Sequence, residues 1–117
     1  MDGLAVLPTE MRNRSLSTRE PVFVLDDVIA ALAAFEAAEW AQLGLETWLK
    51  YPDGKDGHAP TRTLTVERND SEAWPDFVHR THDLCVETIR ATQLEWDARS
   101  QAKGEVLYFC LIPVPPQ

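Results

Sequence analysis

The sequence predicts a single α+β domain in which two helices pack on one mainly antiparallel sheet. The 117-residue chain is long enough for one hydrophobic core, and its 44% hydrophobic and 26% charged residues are typical of globular proteins. Four short segments have the composition or alternation of strands, and two longer segments have the periodicity and composition of helices. In chain order these elements read β-α-β-β-α-β.

The first strand and the first helix are predicted next to each other. Residues 21–25 form a compact apolar run of strand-forming residue types. Asp26 or Asp27 can cap a helix, because a carboxylate accepts hydrogen bonds from the free amides of the first turn. An alanine-rich helix is therefore predicted from about residue 27 to Leu43, and Gly44 is placed to end it.

A β-hairpin is predicted in the middle of the chain. Residues 45–51 and residues 61–67 both show the alternation of side-chain types, with a period of two, that is typical of a strand. Residues 52–60 lie between them and contain two Asp-Gly pairs and two prolines, which are typical of turns. The two strands are therefore expected to pair across a long connection.

A second helix and a last strand complete the predicted domain. Pro75 suits a first helical turn, so an amphipathic helix is expected from about Pro75 to Arg99. Residues 106–112 are apolar on both alternating faces, and such a strand is usually covered on both sides. The order of elements matches the split βαβ, ferredoxin-like arrangement. Because that arrangement places the last strand at an edge, a covering segment or a homodimer is expected there.

The first twenty residues are interpreted as an arm that precedes the domain of residues 21–117. The short apolar run from Leu4 to Leu7 predicts an extra N-terminal edge strand. The polar residues 8–20 that follow predict a loop.

Charge and composition exclude several classes of function. The formal net charge of −8 would repel nucleic acid, since the basic residues are not clustered. No apolar run is long enough to span a membrane, and no basic segment precedes the first apolar stretch. Cys85 and Cys110 lie in apolar stretches and are too few for a disulfide scaffold, although a bridge between them is left open. These features predict a cytoplasmic protein.

The sequence contains no pattern that identifies an enzyme or a cofactor site. His79, His82 and Asp83 share one region of the second helix, but zinc needs three or four ligands and no further ligand has the required spacing. No serine lies in a glycine elbow, and Cys85 is expected to face the core. We therefore predict no catalytic residues, no metal and no cofactor. A small-ligand-binding or metal-dependent enzymatic domain that uses His79 and His82 is the alternative.

The first helix has two apolar sides, and this leaves its orientation open. One side is formed by alanines, whereas the opposite side carries large apolar residues together with Glu36 and Glu39. If the alanine side packs on the sheet, Trp40 and both glutamates form an acidic, aromatic surface. If the large side chains pack on the sheet instead, they belong to the core. Trp48 and Trp74 are further candidate surface contacts.

The predicted function is that of a non-enzymatic domain that binds a basic protein, such as a bacterial immunity protein or antitoxin that neutralises a toxin or nuclease. Residues 26–49 contain five acidic side chains and no Lys or Arg, and a negative surface accelerates encounter with a positively charged partner. A homodimer, or a regulatory subunit of a larger assembly, is a further alternative. The predicted partner-binding residues are Asp26, Asp27, Glu36, Glu39, Trp40 and Glu46.

Overall fold

The computed structural model describes residues 3–58, 63–99 and 104–117, apart from the side chain of His58. Among these residues, three α-helices and a five-stranded sheet form an α+β domain, which is the class that the sequence predicts. The sequence predicts only two of the helices, because the short helix at Thr9–Asn13 lies within residues 8–20, where a loop is expected. The helices are α1 (Thr9–Asn13), α2 (Leu25–Ala37) and α3 (Trp74–Asp97). The strands are β1 (Val22–Phe23), β2 (Ala41–Lys50), β3 (Asp56–His58), β4 (Leu64–Thr65) and β5 (Val106–Val114).

The sheet differs in its order from the ferredoxin-like arrangement, which is not confirmed. Its strands follow the order β1-β5-β2-β3, with β4 also paired to β2, and each of these described pairings is antiparallel. The last strand therefore lies between β1 and β2 and not at an edge. The expectation of a covering segment or a homodimer rests on an edge position, which β5 does not have. Of the predicted hairpin partner at residues 61–67, only Leu64–Thr65 form a strand, β4. Strand β3 lies within residues 52–60, where a connection is predicted, and residues 59–62 lie outside the described residues.

Helix α2 ends six residues before the predicted Leu43, because the chain turns at Glu39. Glu39 has a φ of 63°, and its amide donates to the carbonyl of Glu36 at 3.0 Å. The amide of Trp40 donates to the carbonyl of Phe35 at 2.9 Å, and the two rings pack with centroids 5.9 Å apart. These two hydrogen bonds and the apolar contact form a Schellman motif. The chain then starts β2 at Ala41.

The sequence predicts that Gly44 ends the first helix, and this prediction is wrong. Gly44 lies inside β2. It pairs with Thr65 of β4, and a Cβ atom at this position would collide with the carbonyl oxygen of Leu64. The glycine is needed because the backbone of β4 approaches so closely. A register shift between Gln42 and Leu45 lies at the same place in the sheet.

The prediction of an N-terminal edge strand is wrong. Residues Gly3–Val6 form a 3-10 helix, and the amide of Leu7 donates to the carbonyl of Leu4 at 3.1 Å. This turn places Leu4 and Leu7 on one side, where both are buried in the main core with Phe35 of α2. Three residues are close to one helical turn, so two leucines at this spacing gain more burial from a turn than from an edge strand.

Candidate protein-binding surfaces

The helices cover one face of the sheet and leave the other face without a helix among the described residues. Leu45 and Leu49 of β2, and Leu107, Phe109 and Leu111 of β5, are buried in one cluster with residues of α2 and α3. Because side chains alternate along a strand, every second residue points to the opposite side of the sheet. On that side lie Glu46, Trp48 and Lys50 of β2 and Val106, Tyr108, Cys110 and Ile112 of β5. We call that side the open face.

The open face carries a mixture of aromatic, aliphatic and charged side chains. Trp48 lies directly across from Tyr108, Glu46 from Cys110, and Lys50 from Val106. Val106 is 40% exposed and Ile112 is 37% exposed. Val22 of β1 and Cys110 point to the same side but are buried, so the open face is covered near β1 and exposed around Val106 and Ile112.

Two acidic side chains border the apolar part of the open face near Cys110. Burial, and to a smaller extent the negative charges of Glu20 and Glu46, raise the pKa of the Cys110 thiol to about 12. The thiol is therefore neutral at physiological pH and cannot act as a thiolate nucleophile. The same two charges make this border of the open face acidic.

The predicted exposure of Trp40 is wrong. Its side chain is only 6% exposed and is buried in the main core together with Leu32 and Phe35. Helix α2 thus packs its large side chains inward, which is the second of the two orientations consistent with the sequence. Large apolar side chains gain more free energy from burial than alanine does. Trp74 is buried as well, and its indole donates to the carbonyl of Glu39 at 2.8 Å.

The acidic residues predicted to bind a partner lie on the surface but not on one patch. Asp26 and Asp27 are at the start of α2, roughly 15 Å along the helix from Glu36. The guanidinium of Arg14 lies 3.1 Å from Asp27. Glu39 is exposed at the other end of the helix, and Glu46 is on the open face. Their use by a partner stays a prediction.

The two histidines of α3 form a cluster with acidic residues from two helices. Glu36 lies 3.2 Å from Nδ1 of His79 and 3.5 Å from Nδ1 of His82. Asp83 lies 3.3 Å from Nε2 of His79 and 3.1 Å from Nδ1 of His82. Within the described part of the chain, no group of three or more His, Cys, Asp or Glu side chains is arranged to hold a metal ion. The contacts therefore describe a surface link between α2 and α3.

The two cysteines lie on opposite sides of the sheet. Cys85 of α3 is buried in the core between the helices and the sheet, whereas Cys110 points to the open face. Both are free thiols, and burial raises the pKa of Cys85 to about 12. A bridge between them, which the sequence leaves open, is incompatible with this separation.

Sequence reasoning included Glu46 and Trp48 of the open face but missed Tyr108, Val106 and Ile112. Their signal was present in the last strand, where both alternating faces are apolar. Such a pattern predicts a strand that is covered on both sides. In the structure one face is covered by helices and the other remains partly exposed.

The fold and these surfaces define an α+β domain with helices on one side of an antiparallel sheet. Comparison with protein-family models, curated proteins and solved structures finds no match to this chain. Within residues 3–58, 63–99 and 104–117, the helices are all too short or too polar to cross a membrane.

Proposed function

We propose that this chain is a non-enzymatic domain that binds a basic protein, of the kind represented by bacterial immunity proteins and antitoxins acting in the cytoplasm. The observation that carries the proposal is the open face, where the facing Trp48 and Tyr108 are flanked by the exposed aliphatic residues Val106 and Ile112. Aromatic side chains dominate the binding energy of many protein interfaces.

The charge of the molecule supports a basic partner. The net charge is −8, and Glu20 and Glu46 lie at the border of the open face beside Cys110. An apolar centre with an acidic rim matches the composition of protein interfaces that use complementary charge. A toxin that grips nucleic acid carries the positive surface that such a rim would attract.

The proposal is tested by capturing the partner of the tagged protein from its own host and measuring its affinity for purified variants. Ile112→Lys places a positive charge within the open face, and Ala33→Lys adds the same charge at an exposed position in the middle of α2. We expect Ile112→Lys to weaken binding about tenfold or more, since loss of an interface contact costs about 1–2 kcal/mol. Ala33→Lys should leave the affinity unchanged.

Four further results bear on the proposal. Affinity should fall with increasing salt, and co-expression with the captured partner should suppress its activity in cells. Equal loss of affinity in both variants would contradict the use of the open face. Capture of no protein, or of an acidic one, would contradict the proposed class of partner.

A further inference from the structure

We infer that a cleft at the end of the molecule receives an arginine or lysine side chain of the basic partner. This inference rests on the proposed function and adds a second contact to the open face. The cleft is lined by residues from the start of α2, the end of α3 and the start of β5. It is a shallow depression of about 340 Å³ that is open to solvent.

The cleft exists because β1 is short. Strand β1 pairs with β5 only at Phe109 and Cys110, and after Phe23 the chain enters α2 at Leu25. From Leu107 back to Glu105, the side of β5 away from β2 is therefore flanked by the first turn of α2. A helix start cannot lie against a strand as closely as a paired strand does, and the space between them forms the cleft.

The inner surface of the cleft is apolar. Leu25, Trp96 and Leu107 line it, and both Trp96 and Leu107 belong to the main buried core. Val106 lines the cleft as well and is also an exposed residue of the open face. Val106 is therefore a residue that the cleft and the open face have in common.

Three carboxylates surround this apolar surface. Asp26 comes from α2, Asp97 from α3 and Glu105 from the residues before β5. Asp97 accepts a hydrogen bond from the amide of Gln93 at 2.9 Å, and the guanidinium of Arg99 lies 5.8 Å from the Trp96 ring. Since three acidic groups line the cleft, it favours a cationic group.

The combination of an apolar inner surface and an acidic rim selects the occupant. Arginine and lysine have aliphatic stems that pack on apolar surface while the charged end stays at the rim. A purely apolar side chain would make no favourable interaction with the carboxylates, and an acidic side chain would be repelled. A long basic side chain satisfies both parts of the cleft.

The test uses short blocked peptides and nuclear magnetic resonance spectroscopy of the whole chain. The probes are acetyl-Gly-Arg-Gly-amide and acetyl-Gly-Lys-Gly-amide, with the norleucine and glutamine peptides as apolar and neutral polar controls. We expect the two basic peptides to shift the signals of Gln93, Leu107 and the Trp96 indole. The double variant Asp97→Asn, Glu105→Gln should weaken their binding about fivefold or more. The control Glu67→Gln, Glu87→Gln removes two exposed charges elsewhere and should not.

The outcomes separate this inference from the proposed function. Equal shifts with norleucine or glutamine peptides, or equal weakening in the control variant, would overturn the cleft as a cation site. A captured partner that binds the Asp97→Asn, Glu105→Gln variant as tightly as the unmodified protein would also overturn the inference, while the proposed function would stand. A tenfold loss of partner affinity in that variant, with the control unaffected, would support it.

Discussion

Two single residues determine where the first helix ends and how closely a strand can approach β2. Glu39 adopts a left-handed backbone conformation, which costs a residue with a Cβ atom about 1 kcal/mol. Gly44 occupies a place in β2 where a side chain would collide with the backbone of β4. Each residue therefore fixes a feature of the fold by its backbone and not by its side chain.

Replacing Glu39 with glycine should stabilise the protein. Glycine adopts a positive φ without the steric cost, so we expect the free energy of unfolding to rise by about 0.5–1 kcal/mol in urea titrations. Ala33→Gly, at an exposed position inside α2, is the matched control and should lower stability by about 1 kcal/mol. If Glu39→Gly is also destabilising, the Glu39 side chain itself must stabilise the native protein.

Replacing Gly44 with alanine should have the opposite effect. The added methyl group must displace the backbone at Leu64, and overpacking of this kind costs about 1–3 kcal/mol. Thermal and urea unfolding should both show the loss, together with faster amide exchange at Val66, whose amide donates to the carbonyl of Leu43. Gly57→Ala is the control, because a Cβ at Gly57 meets no atom within 4 Å. Similar losses in both variants would contradict the proposed collision.

At the scale of elements, one arginine joins helix α3 to the connection that precedes it. Arg80 donates to both carboxylate oxygens of Glu72 at 2.8 Å and to the carbonyl of Glu67 at 2.8 Å. Glu72 also accepts a hydrogen bond from the amide of Asn69 at 3.1 Å. Such a bidentate pair fixes both the position and the orientation of the connection.

The Arg80–Glu72 pair predicts a stability that depends on pH in the acid range. The hydrogen bonds from Arg80 lower the pKa of Glu72 from 4.5 to about 2 in the folded protein. Because the folded pKa is depressed, the stabilisation is present above the usual value of 4.5 and is lost as the pH falls towards 2. Unfolding by urea at a series of pH values should show this loss, and Glu72→Gln should reduce it. Glu87→Gln is the control, and an equal reduction there would contradict the assignment.

At the scale of the whole molecule, the sequence predicts helix α3 and the final strand well because their patterns are long. The prediction for α3 differs from the structure by only a few residues at its ends. The sequence does not predict the turn at residues 4–7, because a four-residue apolar run fits a strand or a turn. It does not predict the end of α2 either, because no sequence pattern indicates the left-handed conformation of Glu39. The strand order depends on contacts between distant residues, which local patterns do not contain.

The candidate surfaces were predicted only in part for a related reason. Acidic residues are recognisable in a sequence, and those predicted at Asp26, Glu36, Glu39 and Glu46 do lie on the surface. Trp40 was misplaced because both sides of α2 are apolar and periodicity alone does not choose between them. The open face and the cleft depend on which strands are neighbours, and that information appears only when the chain is folded.

The interior position of β5 has a consequence for the biosynthesis of the protein. Strands β1 and β2 do not pair with each other in the sheet and are held together through residues 106–114. A nascent chain that has not yet released this segment from the ribosome lacks the central strand, and its apolar core residues have no complete sheet to pack on. Productive folding must therefore wait until residues 106–114 have been translated, and the many distant pairings then required make it slower than that of a helical bundle.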